Sequence, residues 1–296
     1  NVAISVVDIG ADHPNTYKIT LRNATETRKL TAISTGGGMI EVIEIDGVPV
    51  SMAGDFYYTL IYCQSPEQVV DFLKATVPYD EIDIHRGEVC FVELRSQAFP
   101  DAVVRSEIQA MEGVSCVKCL RPVLPVMSRK NLTVPFISCN EMLEYNKGKQ
   151  KKLWELAVDY EMARGNISAE EVFEQMRKIV HIMVNAIQLG LKGTHYEDRI
   201  LGSQSLQFKE KFESDGLIGG DTTNRIIMYV SAMMEVKSSM GVIVAAPTAG
   251  SCGALPGALI GTADSLGVSE DDLVKAMLSA GLIGSLSRRM PLLLRR

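Results

Sequence analysis

Residues 57–120 contain, in order, YYTLIYC (57–63), PEQVVDFLKA (66–75), EIDIH (81–85), VCFVEL (89–94), DAVVRSEIQAM (101–111) and VSCVKCL (114–120). The first, third, fourth and sixth stretches are short runs rich in β-branched and aromatic residues, which is the signature of strands. The second and fifth space their apolar residues three and four apart, which is the signature of helices. Ser65 stands as an N-cap ahead of Pro66, whose missing N–H costs nothing at the first helical position, and Arg86-Gly87 supplies the turn between the third and fourth stretches. The order β-α-β-β-α-β predicts a ferredoxin-like sandwich, one antiparallel sheet with two helices on one face.

Toward the N-terminus, Val2–Asp8, Thr16–Arg22 and Arg28–Ser34 read as strands separated by turns at His13-Pro14-Asn15 and Asn23-Ala24-Thr25. Gly36-Gly37-Gly38 then leads into a further strand, Met39–Ile45, and an Asp46-Gly47 turn, so a small sheet is expected. Toward the C-terminus, Pro122, Pro125 and Pro135 and the basic residues Lys147, Lys149, Lys151 and Lys152 interrupt any helix and mark a linker. Beyond it the apolar period becomes 3.6. Ser168 with Glu171 is a capping box opening a helix whose stripe is Val172, Met176, Ile179, Val180, Met183 and Ile187, ending near Gly190. Ser269 with Asp272 repeats the signature before Leu273, Met277, Leu278 and Leu282. The expected class is α+β: a β-rich segment (1–54), the ferredoxin-like unit (55–126), a linker (127–150) and a mostly helical domain (151–296).

Composition narrows the function classes. A chain of 296 residues has room for two or three domains, and 46% hydrophobic with 22% charged residues excludes a disordered chain. A net charge of −6 argues against nucleic acid as a partner, because a phosphate-binding surface needs clustered Lys and Arg. The longest near-apolar run, Gly241–Pro247, is far short of a membrane span. Six irregularly spaced cysteines do not make a disulfide framework, so a reducing cytoplasm is expected. Asn1 follows no Met and opens no leader, so the chain is read as starting inside an existing strand pattern.

Two Gly-rich loops break the helical half. Ser214–Asp221 (SDGLIGGD) can turn between helices or, through successive N–H groups, form an anion-binding nest. Ala245–Gly257 (AAPTAGSCGALPG) sets the hydroxyls of Thr248 and Ser251 and the thiol of Cys252 among small residues that leave room for something bulky. Cys252 reads either as a small core residue or as a ligand. Cys116-x-x-Cys119 has metal-like spacing, yet its place on a strand of the sandwich argues for a sheet role.

Together the loop Ala245–Gly257, the segment Asp215–Asp221, the helix pair around Tyr160–Gly190 and the segment Asn185–Lys192 resemble the α chain of bacterial iron-sulfur L-serine dehydratases. His13–Thr16 and Gly36–Gly47 separately resemble the end of that family's β domain, and the βαββαβ unit that follows them resembles an ACT domain, a regulatory module that usually binds an amino acid. The resemblance implies a [4Fe–4S] cluster held by three cysteines, with one iron acting as Lewis acid on the serine hydroxyl while an unassigned base takes the α proton. Loss of water gives an enamine, then an imine, then pyruvate and ammonia. Carried over position by position, Cys252 is a metal ligand, and Asp221, Thr248 and Ser251 are substrate-binding groups. L-serine is then the substrate and a homo-oligomer the expected assembly.

The chain departs from the family twice. No Ser-rich segment with a histidine precedes the β-like region, and the sequence is expected to be aberrant from about residue 286, where Arg288, Arg289, Arg295 and Arg296 appear with no acid. No cysteine follows Cys252, so this chain alone is expected to be inactive and without a cluster. Two other readings stand beside the enzyme. One is an amino-acid-sensing ACT-type binding protein with a helical oligomerisation domain. The other makes Cys252 a nucleophile beside His181 or His195.

Overall fold

A computed structural model describes residues 9–36, 38–123, 127–197, 202–246 and 248–287. The expected strand Val2–Asp8 and the Arg-rich end from Arg288 lie outside the described residues. The chain divides into two compact units, 1–132 and 133–296.

The first unit holds two sheets. Strands β1 (Thr16–Arg22), β2 (Thr27–Gly36), β3 (Met39–Ile45) and β4 (Val48–Met52) form an antiparallel meander in chain order. The β3–β4 hairpin closes at Asp46-Gly47 with φ of 48° and 77°, the paired left-handed residues of a tight hairpin turn. The Asp46 carboxylate fixes that turn by accepting from the Lys29 backbone N–H at 2.8 Å and pairing with Arg28 at 3.0 Å. Strand β4 was not expected from its residues, VPVSM. It lies at the sheet edge, where Pro49 has no ladder bond to forfeit.

The second sheet is the expected sandwich. Strands β5 (Tyr57–Cys63), β6 (Glu81–Arg86), β7 (Cys90–Ser96) and β8 (Val114–Leu120) pair antiparallel in the order β6-β7-β5-β8. Helices α1 (Pro66–Thr76) and α2 (Ala102–Ala110) supply Val69, Leu73 and Ile108 to a core against Ile61, Val92 and Leu94. The opposite face, Tyr58, Leu60 and Phe91, packs on Val48 and Met52 of the meander. Strand β5 is thus covered on both faces, which accounts for its nearly continuous apolar run.

A buried ionic chain runs through this layer. Glu93 on β7 is fully buried, and its carboxylate meets His85 Nε2 at 2.7 Å and Arg95 Nε at 2.6 Å. His85 Nδ1 lies 3.0 Å from the Pro49 carbonyl, and the Arg95 guanidinium donates to the Ser51 carbonyl at 3.2 Å. Both imidazole nitrogens therefore face acceptors, a geometry that only the imidazolium satisfies completely. The hydrogen bond to Glu93 accordingly raises the His85 pKa above its ordinary value.

The second unit is helical: α3 (Cys139–Asn146), α4 (Leu153–Gly165), α5 (Ala169–Leu191), α6 (Ser205–Glu213), α7 (Asp221–Ser238), a 3-10 turn (Ala249–Ser251), α8 (Ala254–Leu266) and α9 (Glu270–Ser287). Helix α3 falls inside the stretch expected to be a linker, with Ser138 as its N-cap, accepting from the Glu141 N–H at 3.3 Å. Ser168 caps α5 as its sequence predicts, accepting from the Glu171 N–H at 3.2 Å. Val172, Val180, Met183 and Ile187 of the predicted stripe are buried, while Met176 and Ile179 are partly buried. Glycine lets backbones touch: a Cβ on Gly190 of α5 would stand 2.3 Å from the Ala232 carbonyl oxygen of α7. Among the described residues no helix is long and apolar enough to cross a membrane.

Candidate functional site

Helices α7 and α8 set the frame of both Gly-rich loops. A Cβ on Gly253 would meet Met234 at 3.0 Å, one on Gly257 would meet the Val230 backbone nitrogen at 2.7 Å, and one on Gly261 would meet Ile226 Cα at 3.1 Å. Farther along, the Thr222 and Ser265 hydroxyls bond at 2.6 Å. Each step of four residues up one helix is matched by four down the other, so the two run antiparallel in backbone contact. The loop before α7 therefore sits beside the end of α8, and the cysteine loop sits beside the end of α7. With 13 residues in α8, the two ends are about 20 Å apart. Of the four residues assigned from sequence, the structure brings Thr248, Ser251 and Cys252 together and places Asp221 at the other end of the helix pair.

At the cysteine end, the hydroxyls brace the loop. Thr248 Oγ1 and Ser251 Oγ bond at 2.9 Å, the Ser251 N–H donates to Thr248 Oγ1 at 3.2 Å, and the Thr248 N–H donates to Ser251 Oγ at 3.2 Å. The Ser251 hydroxyl also lies 3.0 Å from the Ala246 carbonyl. Cys252 is fully buried, and its thiol points at Met234 Sδ, 3.9 Å away. Burial pushes that thiol's pKa up, with Lys237 opposing, so it stays protonated at neutral pH. Cys139 is exposed at the start of α3, while Cys63, Cys90, Cys116 and Cys119 sit on strands of the other unit. Among the described residues no three His, Cys, Asp or Glu side chains are grouped to hold a metal. The described residues therefore do not fit a four-iron cluster.

A cavity of about 340 Å³ adjoins this loop, bounded by Ala245, Ala246 and Leu255, by Met176 and Met183 of α5, and by Met277 and Gly281 of α9. Its charged wall residue is Arg164, near the end of α4, 3.3 Å from the Glu161 carboxylate. Sequence reasoning missed Arg164, because one arginine on an amphipathic helix looks like any solvated cation until α5 and α9 are folded over it.

The Asp221 end is an internal ion network. The exposed Asp221 carboxylate accepts from Arg225 at 2.9 and 3.2 Å, and Arg225, followed by Ser265, lowers its pKa. Arg225 also lies over the Phe212 ring at 5.0 Å, and the Tyr229 hydroxyl donates to Asp264 at 2.7 Å. Gly219 takes φ of 119°, a conformation only glycine adopts readily, where the loop turns into α7. His181 lies 3.3 Å from Glu270, and His195 is exposed while Cys252 is buried, so the thiol–imidazole pair is not assembled.

Glu235, also missed in the sequence, is a buried carboxylate on α7 that accepts from the Gln204 N–H at 2.7 Å, the Ser205 N–H at 2.9 Å and the Ser203 hydroxyl at 3.3 Å. It thereby caps α6, the helix that leads into the Gly-rich loop.

Comparison with known proteins adds family information. Residues 148–290 match the profile of the family described as serine dehydratase alpha chain. The chain is 28% identical over 149 residues to a probable L-serine dehydratase alpha chain of Bacillus subtilis (strain 168), covering 50% of each chain. It is 23% identical over 148 residues to the L-serine dehydratase alpha chain of Peptoniphilus asaccharolyticus, covering 50% of this chain and 51% of that one. A third match, 38% identical over 55 residues, is to a probable L-serine dehydratase beta chain of Bacillus subtilis, covering 19% of this chain and 25% of that one. The chain spans about half the length of the alpha chains it matches.

Proposed function

The helical half of this chain belongs to the serine dehydratase family, and from that premise we propose that it is the L-serine-binding α-chain part of an enzyme that converts L-serine to pyruvate and ammonia. The α-chain match over residues 148–290 carries this reading. Matches to an α chain and to a β chain within one polypeptide support a fusion of the two. L-serine lodges in the cavity beside the cysteine loop. Arg164 receives the carboxylate, the charge for which guanidinium geometry is suited. The Thr248 and Ser251 hydroxyls brace the loop that borders the cavity. Met176, Met183 and Met277 line the rest of the cavity with apolar surface. Asp221 holds the start of α7 through Arg225. The cluster implied by the family resemblance does not fit the described residues, which leave Cys252 alone among apolar side chains.

The test is titration of the full chain with L-serine, with D-serine as control, followed by an anaerobic assay for pyruvate. The chain alone is expected to bind L-serine without turning it over, and Arg164→Ala to weaken binding about tenfold or more, with Arg164→Lys intermediate. Failure of L-serine to bind, or unchanged binding by a folded Arg164→Ala variant, overturns the assignment. The second reading, an ACT-type unit that senses an amino acid, has the strand order β6-β7-β5-β8 in its favour.

A further inference from the structure

We propose that the first unit carries a separate binding site for a small organic ammonium ion, in the cavity between the α1–β6 and β7–α2 connections. The cavity measures about 280 Å³ and is bounded by residues 76–80 and 96–101 together with Val104. Its apolar walls are Pro78, Tyr79, Phe99 and Pro100. Phe99 is held edge-on to Tyr57, with ring centroids 4.8 Å apart and planes at 85°, so that wall is rigid.

The chemistry comes from Asp80, which is 9% exposed. One carboxylate oxygen accepts from the Gln97 side-chain amide at 2.6 Å and the other from the Lys130 backbone N–H at 2.7 Å. Both donors are uncharged, so they hold the carboxylate in place without cancelling its charge. Asp101 contributes a second carboxylate while capping α2 through the Val104 N–H at 2.9 Å. Among the described residues no lysine, arginine or histidine lines the cavity. Tyr79 offers an aromatic face, and the Lys130 ammonium already lies 5.6 Å from its ring centroid, so the ring accepts cations.

Aromatic walls with fixed negative charge select a cation with an apolar body. The same charges select against an amino acid, whose carboxylate would face Asp80 and Asp101. The ligand class is therefore an alkyl- or arylalkylammonium ion without a carboxylate. This site is independent of the proposed serine site, which lies in the other unit.

The experiment is calorimetric titration of the full chain with three probes of one carbon skeleton: phenethylammonium, its neutral analogue phenethyl alcohol, and L-phenylalanine. Phenethylammonium is expected to bind about tenfold or more tighter than either of the others. In Asp80→Asn that preference disappears while the alcohol binds as before. Asp101→Asn, which retains a good N-cap residue, weakens the ammonium severalfold. Absence of phenethylammonium binding, equal binding of the alcohol, or tighter binding of L-phenylalanine overturns the proposal. The probe series uses the unaltered chain, so it decides the matter even where Asp80→Asn fails to fold.

Discussion

At the residue scale, buried ionic groups make the sharpest predictions. Because Glu93 raises the His85 pKa above its unfolded value of about 6.5, the folded state holds the imidazole proton more tightly than the unfolded chain. The stabilisation is complete below that unfolded value and disappears as the pH climbs through the higher folded one. Urea midpoints of the first unit should fall as the pH rises above about 6.5, and His85→Gln should flatten that slope. Glu235→Ala strips the first N–H groups of α6 of their acceptor and should cost about 1–3 kcal/mol, read from the denaturant midpoint. Neither network was legible in the sequence. Glu235 stands 30 residues from Ser205, and a lone glutamate on a helix ordinarily faces water. His85 and Glu93 lie on adjacent strands whose register only the folded hairpin fixes.

Among elements, glycines sort by what stands opposite them. Gly257→Ala would drive a methyl group into the Val230 backbone, which cannot yield without separating α7 from α8, and a loss of about 2–4 kcal/mol is expected in thermal or urea unfolding. Gly281 on α9 has nothing within 4 Å of its would-be Cβ, so Gly281→Ala should stabilise by about 0.5–1 kcal/mol. The elements themselves were largely readable. Strands β1, β3, β5 and β8 fall on their sequence-predicted spans, because alternation and turn residues agree there. Strand β4 escaped because Pro49 and Ser51 break the pattern, and α3 escaped because prolines and lysines surround its eight residues, about two turns. The site was less readable, since which loop faces which end of a helix depends on antiparallel packing that no local pattern encodes.

For the whole molecule, each unit buries apolar side chains of its own, with Phe91 fully buried in one and Met233 in the other, so two separable unfolding transitions are expected by calorimetry. Phe91→Ala should lower one transition and Met233→Ala the other, each by about 2–5 kcal/mol. Residues 55–126 cut free of the meander would bare Tyr58, Leu60 and Phe91, and such a fragment should aggregate, as light scattering would record. The seam of glycines between α7 and α8 bears on motion across these distances. Where side chains interlock, helices can creep past one another as rotamers adjust. Where backbone rests on backbone, nothing can yield gradually, and the next resting position is a full helical turn, about 5.4 Å, away. The seam is a detent, and it keeps the distance between the two Gly-rich loops constant.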